Sequence, residues 1–300
     1  MRILVAGWHG QVALALSAAA ARRADVKAYA VGRPALDLCD RPSVGRALFG
    51  LSPDVIINTA AYTDVEGAES EPGMARRRNV DGAAALARQA ARVGVPVIHL
   101  STVYVFDGTK AGPYVEDDQT APVNAYGRSK RDGEAAVAAA NARHVILRTG
   151  WIYGPDGANF VTNILRRAAA GEALEIADDQ CGSPTFAPAL ADAILEIAAK
   201  VAGCAPDDPA WGTYHIADAG VTDWHGFARA ALEMSGRVGD AHPLTAVSSD
   251  RLTVRAPRPA NAMLACERLA KTFGVRLPEW RVSLAECVRV IERGGIGWSA

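Results

Sequence analysis

The sequence predicts an α/β protein, a doubly wound parallel sheet of the Rossmann type with a smaller C-terminal lobe. Three observations carry the prediction. Short apolar runs alternate with helical stretches through the first half of the chain, the pattern of βαβ units on a parallel sheet. A glycine-bearing turn stands between the first run and the first helix. After about residue 150 the texture changes: Gly, Pro and Trp become frequent and the apolar runs shorten.

Arg2-Ile-Leu-Val-Ala6 is apolar after its first residue and is closed by Gly7. Strands covered on both faces show such runs without alternation, so it reads as a buried parallel strand. Residues 12–23 are rich in Ala and Leu and predict the first helix. Residues 26–31 form the second strand candidate, stopped by Gly32-Arg33-Pro34. A helix at 43–49, a strand at 54–58 behind Pro53, a long helix at 79–93 and a strand at 95–101 follow, then a helix at 124–141 and a strand at 144–149. Crossovers between parallel strands are right-handed, so helices should cover both faces. Farther on, 159–170, 188–202 and 224–235 read as helices, the last with Gly236 as its stop, and 213–217 as a lone strand. The chain beyond about residue 260 reads as short helices and loops. The expected division is 1–151 as a Rossmann domain, with 187–218 returning to it, and 152–186 with 219–300 as the second lobe.

Composition removes several function classes. Lys+Arg number 32 against 33 Asp+Glu, a net charge of −1, where a nucleic-acid binder would show a basic excess. Half the residues are hydrophobic and 22% are charged, which excludes wholesale disorder. No apolar run approaches the roughly 18 residues of a membrane span. The N-terminal apolar stretch is split by Gly7, His9, Gly10 and Gln11, unlike the continuous core of a signal peptide. Five cysteines, at 39, 181, 204, 266 and 287, form no CxxC and leave an odd total. That usage fits free thiols in a reducing cytoplasm and neither a disulfide framework nor a zinc site.

The turn Gly7-Trp-His-Gly10-Gln-Val-Ala13 carries the first chemistry. Gly7 permits a tight turn, Gly10 lets the backbone approach a pyrophosphate, and the helix behind them offers free N–H groups to the anion. Ala13 is small enough for close helix–strand packing. An NAD site would place a carboxylate at the end of the second strand, near the adenosine ribose. The sequence has Val31-Gly32-Arg33 there. Arg33 can pair with a 2′-phosphate, which favours NADPH, with NADH as a second candidate; it can equally be a solvated surface residue. Asp37 and Leu38 lie within reach of the adenine through side chain and backbone.

Tyr126-Gly-Arg-Ser-Lys130 places a phenol and an ammonium at i and i+4, on one helix face. The ammonium favours the tyrosinate, so the Tyr126 pKa is expected to fall towards the working range. Thr102 ends an apolar strand, and strand C-termini are where such sheets bind ligands. Thr102, Tyr126 and Lys130 behind a glycine turn predict a carbonyl reductase.

These motifs resemble the extended short-chain dehydrogenase/reductases, and within them the dTDP-4-dehydrorhamnose reductase family. The similarity runs nearly end to end: Gly7 to Ala13; Pro53-Asp-Val-Ile-Ile-Asn-Thr-Ala-Ala-Tyr-Thr63 with Ala68-Glu-Ser-Glu-Pro72; STVYVFDG from Ser101 to Gly108; Ala125 to Lys130 with Gly133-Glu134; Arg148-Thr-Gly-Trp-Ile-Tyr-Gly154; Asn159-Phe160; Asp179-Gln180 with Gly182-Ser-Pro-Thr185; Gly212-Thr-Tyr-His215; and Arg258-Pro259. The resemblance implies reduction of the 4-keto group of a dTDP-bound deoxysugar by NADPH, with the second lobe binding substrate. It implies that Gly10, Gln11 and Val12 line the pyrophosphate and that Asp37 and Leu38 meet the adenine. Ala60, Ala61 and Tyr62 would run along the cofactor. Thr102, Tyr126 and Lys130 would be the catalytic set, Lys130 also holding the nicotinamide ribose. Trp151 would lie against the sugar ring, where a flat aromatic suits an apolar sugar face, or pack between the lobes. Arg258 would reach the nucleotide phosphates or serve a structural ion pair.

Two positions depart from the family pattern. Its motif usually reads STDYVFDG, with the Asp on the substrate; Val103 stands there and is expected to face the sugar without accepting a hydrogen bond. Some members pair through metal ions held by acidic residues, one of them on the first helix, but residues 12–21 contain no carboxylate. The expectation is therefore no bound metal and a monomer or a homodimer with no metal link, with no nucleic-acid or membrane partner. Two other readings stay open. One is a non-catalytic NADP-binding module like the regulatory subunit of methionine adenosyltransferase, and the other is a different nucleotide-sugar reductase or an epimerase.

Overall fold

The computed structural model describes residues 1–237, 239, 243–253 and 255–294. The first half runs β1 (Arg2–Ala6), α1 (Gln11–Ala21), β2 (Lys27–Val31), α2 (Arg41–Leu51), β3 (Val55–Asn58), α3 (Val65–Ser70), α4 (Pro72–Arg76), a π-helical turn (Arg77–Gly82), α5 (Ala83–Arg92), β4 (Val97–Thr102), α6 (Ala125–Ala140) and β5 (His144–Thr149). The second half runs β6 (Ile152–Tyr153), α7 (Phe160–Ala169), β7 (Leu174–Ala177), β8 (Cys181–Gly182), β9 (Thr185–Phe186), α8 (Ala187–Val201), β10 (Gly212–His215), β11 (Thr222–Asp223), α9 (Trp224–Met234), β12 (Leu244–Val247), β13 (Asn261–Ala262), α10 (Glu267–Phe273) and α11 (Trp280–Arg293).

Six parallel strands make the main sheet, in the order β2-β1-β3-β4-β5-β10. The doubly wound prediction holds. The chain leaves β1 for β2 on one side and reaches β3 on the other, and the crevice at this reversal is where such sheets take ligands. One face is covered by α1 and α8, whose Val12, Leu16, Leu190 and Ile194 pack on Ile3, Val5 and Ile57. The other is covered by α2 and α5 through Val44, Leu48, Leu86 and Ala90 over Leu4 and Ile56. Burial on both faces is why the strands read as continuous apolar runs. Each fully buried Leu or Ile contributes about 1.5–3 kcal/mol.

A second cluster joins α7, α9 and α11 around Tyr153, Phe227, Trp280 and Leu284. Beside it are the short pairings β7–β12, β6–β9 and β11–β8–β13. β10 pairs in parallel with β5, so the chain re-enters the main sheet after α8.

Three elements differ from the sequence reading. The helix expected at 79–93 begins as a π-helical turn, Arg77–Gly82, before α5. The segment before it is helical as α3 and α4, started by the Asp64 cap and by Pro72. The chain beyond residue 260 holds a 14-residue helix, α11, and not only short ones. Its buried Trp280, Leu284, Cys287, Val288 and Ile291 form a helical stripe that was readable in advance.

Candidate active site

The cleft begins at the turn after β1. Gly7 has φ +112°, and a Cβ there would lie 2.6 Å from Thr59 Oγ1, so glycine is required. Gly10 caps α1 without a side-chain hydrogen bond, and the first helical bond is Leu14 N–H to Gly10 O at 3.0 Å. The N–H groups of Gln11, Val12 and Ala13 therefore have no helical acceptor. A Cβ on Gly10 would meet nothing within 4 Å. An uncapped helix start facing open space fits a cofactor pyrophosphate. Val12 buries its side chain against the sheet, so only its main chain faces the cleft. The Gln11 amide oxygen is buried without a protein partner.

Beyond the turn a cavity of about 270 Å³ is lined by Arg33, Asp37, Leu38, Ala60 and Ala61. Asp37 Oδ1 accepts the Cys39 N–H at 2.9 Å. Leu38 buries its side chain under the sheet and presents its backbone. Tyr62 lies outside the cavity lining. Its ring packs on Ala68, Ala75 and Ala125, and its hydroxyl donates to Glu71 Oε2 at 3.0 Å. Asn79 clamps the Tyr62 backbone, its Oδ1 accepting the N–H at 2.7 Å and its Nδ2 donating to the carbonyl at 3.0 Å. Thr59, Thr63, Trp8 and Arg78 line the same cavity. Sequence reasoning gave none of them a role: the first three lie inside motifs read for other residues, and Arg78 lies in no motif.

A larger cavity, about 540 Å³, opens at the β4 and β5 ends and is lined by Thr102, Tyr126, Lys130, Trp151 and Trp224. Asn124 sets the start of α6: its Oδ1 accepts the Gly127 N–H at 2.7 Å and its Nδ2 donates to Pro257 O at 2.9 Å. Lys130, 2% exposed, donates to Leu100 O at 2.6 Å. Burial lowers its pKa to about 8, against the pull of Glu134 one turn on. Glu134 is itself held in a buried ion pair with Arg148 at 2.7 Å.

Tyr126 corrects the sequence expectation. Its pKa is pushed up to about 12, because burial penalises the phenolate; Thr102 lowers it by a side-chain hydrogen bond and the neighbouring Tyr104 raises it. Lys130 gives one of its three N–H donors to the Leu100 carbonyl and is not among the groups that shift the phenol. The phenol is therefore fully protonated at neutral pH.

Val103 is a second correction. It is 0% exposed, in a 3₁₀ turn (Val103–Val105) that directs its side chain into a cluster with Phe106, Tyr114, Trp151 and Leu264. It lines no cavity described above. The turn, one residue past the strand end, rotates position 103 away from the cleft.

Trp151 is 9% exposed and adopts φ +48°, in the left-handed region, a costly conformation for a bulky residue and one that clusters at functional sites. Its ring stacks on Trp224 (3.6 Å, 13°), and Gly182 sits so close that a Cβ there would lie 2.5 Å from Trp151 Cε2. Trp224, the first residue of α9, is half-buried and also borders a smaller cavity with Phe160, Ile176, Leu252 and Arg258. Arg258 Nη2 pairs with Glu66 Oε1 at 2.8 Å, while its Nη1 is buried with no protein partner. Both readings of Arg258 thus have a structural counterpart.

Among the described residues no group of three or more His, Cys, Asp or Glu is placed to hold a metal, and no helix is long and apolar enough to cross a membrane.

Comparison with known proteins gives the same direction. The model of the RmlD substrate binding domain family matches residues 1–293. A dTDP-4-dehydrorhamnose reductase of Sinorhizobium fredii is 44% identical over 292 residues, covering 96% of this chain and 97% of its own. The crystal structure of a dTDP-4-dehydrorhamnose reductase from Clostridium acetobutylicum superposes with a TM-score of 0.90 at 30% identity, covering 97% of this chain and 100% of the other. That of a dTDP-4-dehydrorhamnose reductase from Bacillus anthracis in complex with NADP superposes with a TM-score of 0.88 at 29% identity, covering 95% and 98%. With its glycine turn, its Thr102–Tyr126–Lys130 wall and this full-length similarity, the chain belongs to the RmlD substrate binding domain family.

Proposed function

We propose that this protein reduces dTDP-4-dehydro-L-rhamnose to dTDP-L-rhamnose with NADPH. The observation that carries the reading is the wall of Thr102, Tyr126 and Lys130 at the strand ends, in a chain 44% identical to a reductase of that name. The non-catalytic and epimerase alternatives gain nothing from these relatives.

NADPH, when bound, supplies the hydride for the sugar C4. The uncapped start of α1 holds its pyrophosphate through Gly10, Gln11 and Val12, behind Gly7. Arg33, Asp37 and Leu38 take the adenosine end, and Ala60 and Ala61 the passage between. Tyr62 acts through the backbone that Asn79 clamps. Tyr126 gives its phenolic proton to the C4 oxygen, and burial keeps that proton in place until then. Thr102 orients the phenol. Lys130, cationic below about pH 8, stabilises the phenolate left behind and holds the nicotinamide ribose. The sugar lies towards Trp151 and the nucleotide towards Arg258. Residues 1–151 with 187–218 bind cofactor, and 152–186 with 219–300 bind substrate. The protein works in the cytoplasm, as a monomer or a homodimer with no metal link.

The test follows NADPH absorbance on adding dTDP-4-dehydro-L-rhamnose. Oxidation matched mole for mole by dTDP-L-rhamnose is expected. A folded protein that binds NADPH but leaves it unoxidised overturns the reading.

A further inference from the structure

We propose that Arg78 is a second reader of the NADPH 2′-phosphate, closing a two-arginine clamp with Arg33. The inference rests on the cofactor half of the proposed function and names what sets its cofactor selectivity.

Arg78 lies in the π-helical turn before α5, where no spaced motif points to it. The turn is pressed onto the loop after β2. Cys39 Sγ donates to Arg77 O at 3.8 Å, and a Cβ on Gly82 would lie 2.7 Å from Leu38 Cβ. The next residue, Asn79, is fixed by its two bonds to the Tyr62 backbone and by a third from Nδ2 to Ser129 Oγ at 2.9 Å. The root of Arg78 is therefore rigid. Its guanidinium stands 5.9 Å over the Tyr62 ring and lines the same cavity as Arg33 and Asp37.

Charge then selects the ligand. Neither Arg33 nor Arg78 has an ion-pair partner among the described residues. The one carboxylate in the lining, Asp37, accepts the Cys39 N–H. Two guanidiniums against one occupied carboxylate leave an excess of positive charge in a cavity of about 270 Å³. The hydroxyls of an unphosphorylated ribose cannot neutralise it, and neither can a neutral adenine. A phosphate dianion can, and two planar forks can each give it paired N–H bonds. Arg33 comes from the end of β2 and Arg78 from the turn before α5, so they approach from separate elements.

The experiment is direct binding, without sugar substrate, of NADPH, NADH, 2′,5′-ADP and 5′-ADP to the full chain. Arg78→Ala is expected to raise the dissociation constants of NADPH and 2′,5′-ADP roughly ten- to a hundredfold, the scale of a charge-assisted bond. NADH and 5′-ADP should change by less than about twofold on the same scale. Arg78→Lys should fall between, keeping charge and losing the fork. Arg33→Ala/Arg78→Ala should abolish the preference for the phosphorylated ligands. If Arg78→Ala weakens phosphorylated and unphosphorylated ligands alike, Arg78 serves the adenine or the fold, and the clamp is wrong. No change in any ligand overturns it equally. If the unaltered protein binds neither dinucleotide, the proposed function fails first, which separates the two readings.

Discussion

The two ends of the cleft are built from different material. The end proposed for the pyrophosphate and adenosine starts from main chain, an uncapped helix start, two glycines and small residues after β3, with Arg33, Asp37 and Arg78 beyond them. The sugar end is side chain: Trp151 after β5, Phe160 opening α7, Trp224 opening α9 and Arg258 before β13. The first is local in sequence, one strand-turn-helix unit with nearby loops. The second assembles only when segments about a hundred residues apart meet. Arg33 and Arg78 apart, the first should therefore depend on keeping Gly7 bare, and the second on its side chains. Tyr126 and Lys130 stand between them.

The largest expected effect falls at that junction. Tyr126→Phe removes the proton donor and nothing from the main-chain end. Turnover should fall about 10²- to 10⁴-fold, the scale of general acid catalysis, with the NADPH dissociation constant unchanged. Steady-state kinetics and cofactor titration decide it, and a variant with full activity ends the assignment.

Next comes Val103→Asp. Were position 103 part of the sugar end, a carboxylate there would accept sugar hydroxyls and lower the substrate KM. Val103 instead lies among Phe106, Tyr114 and Trp151 with no exposure. The variant should lose about 3–5 kcal/mol, the scale of an uncompensated buried charge, visible in denaturant melts. A stable variant with improved KM would return Val103 to the cleft.

That contrast also marks how much was legible in the sequence. The glycine turn, Thr102 and the Tyr126/Lys130 spacing are local patterns, and their placement follows from strand and helix geometry. The alternation of Arg2–Ala6, Val55–Asn58 and Val97–Thr102 with helices sufficed for the sheet. Two-residue strands such as β8 and β9 have no periodicity to read. Val103 follows the strand end and was expected to face the cleft, but the 3₁₀ turn that begins there packs its side chain in the core, which sequence spacing does not signal. The pKa of Tyr126 was misjudged because spacing reveals a neighbouring charge but not burial, and burial is the larger effect. Trp224 and Arg78 were invisible because only tertiary packing brings them to the cleft.

The stacked tryptophans sharpen the comparison within the sugar end. Trp151 is enclosed by Trp224 and Gly182, so Trp151→Ala should cost about 3–5 kcal/mol of stability, as large aromatic truncations do. Trp224 is half-buried and borders both cavities. Trp224→Ala should mainly raise the KM for the nucleotide sugar, by roughly two- to tenfold for one aromatic contact, and leave NADPH binding alone. Melting curves and KM for both variants check this; a reversed pattern would make Trp151 the larger substrate contact and Trp224 the packing residue.

The last test lies outside the cleft, at the joint between the end of the main sheet and the second cluster. Asp218 follows β10 and is 3% exposed. Its Oδ2 accepts from the Phe186 N–H at 3.3 Å and the Tyr153 hydroxyl at 3.4 Å, while Oδ1 has no partner. Burial, only partly offset by such bonds, pushes its pKa from 3.8 up to about 7. The folded state therefore holds this proton more tightly than the unfolded chain, so its contribution to stability is lost as pH rises from about 4 to about 7. Above that window the joint carries a buried carboxylate; below it the group is neutral in both states. Asp218→Asn stays neutral throughout and keeps an oxygen for Phe186 and Tyr153. The melting temperature of the variant minus that of the parent should rise across the window and level off above it. A difference that stays flat with pH would mean Asp218 is ionised at neutral pH, and that the joint is as accessible to water as the sugar end of the cleft.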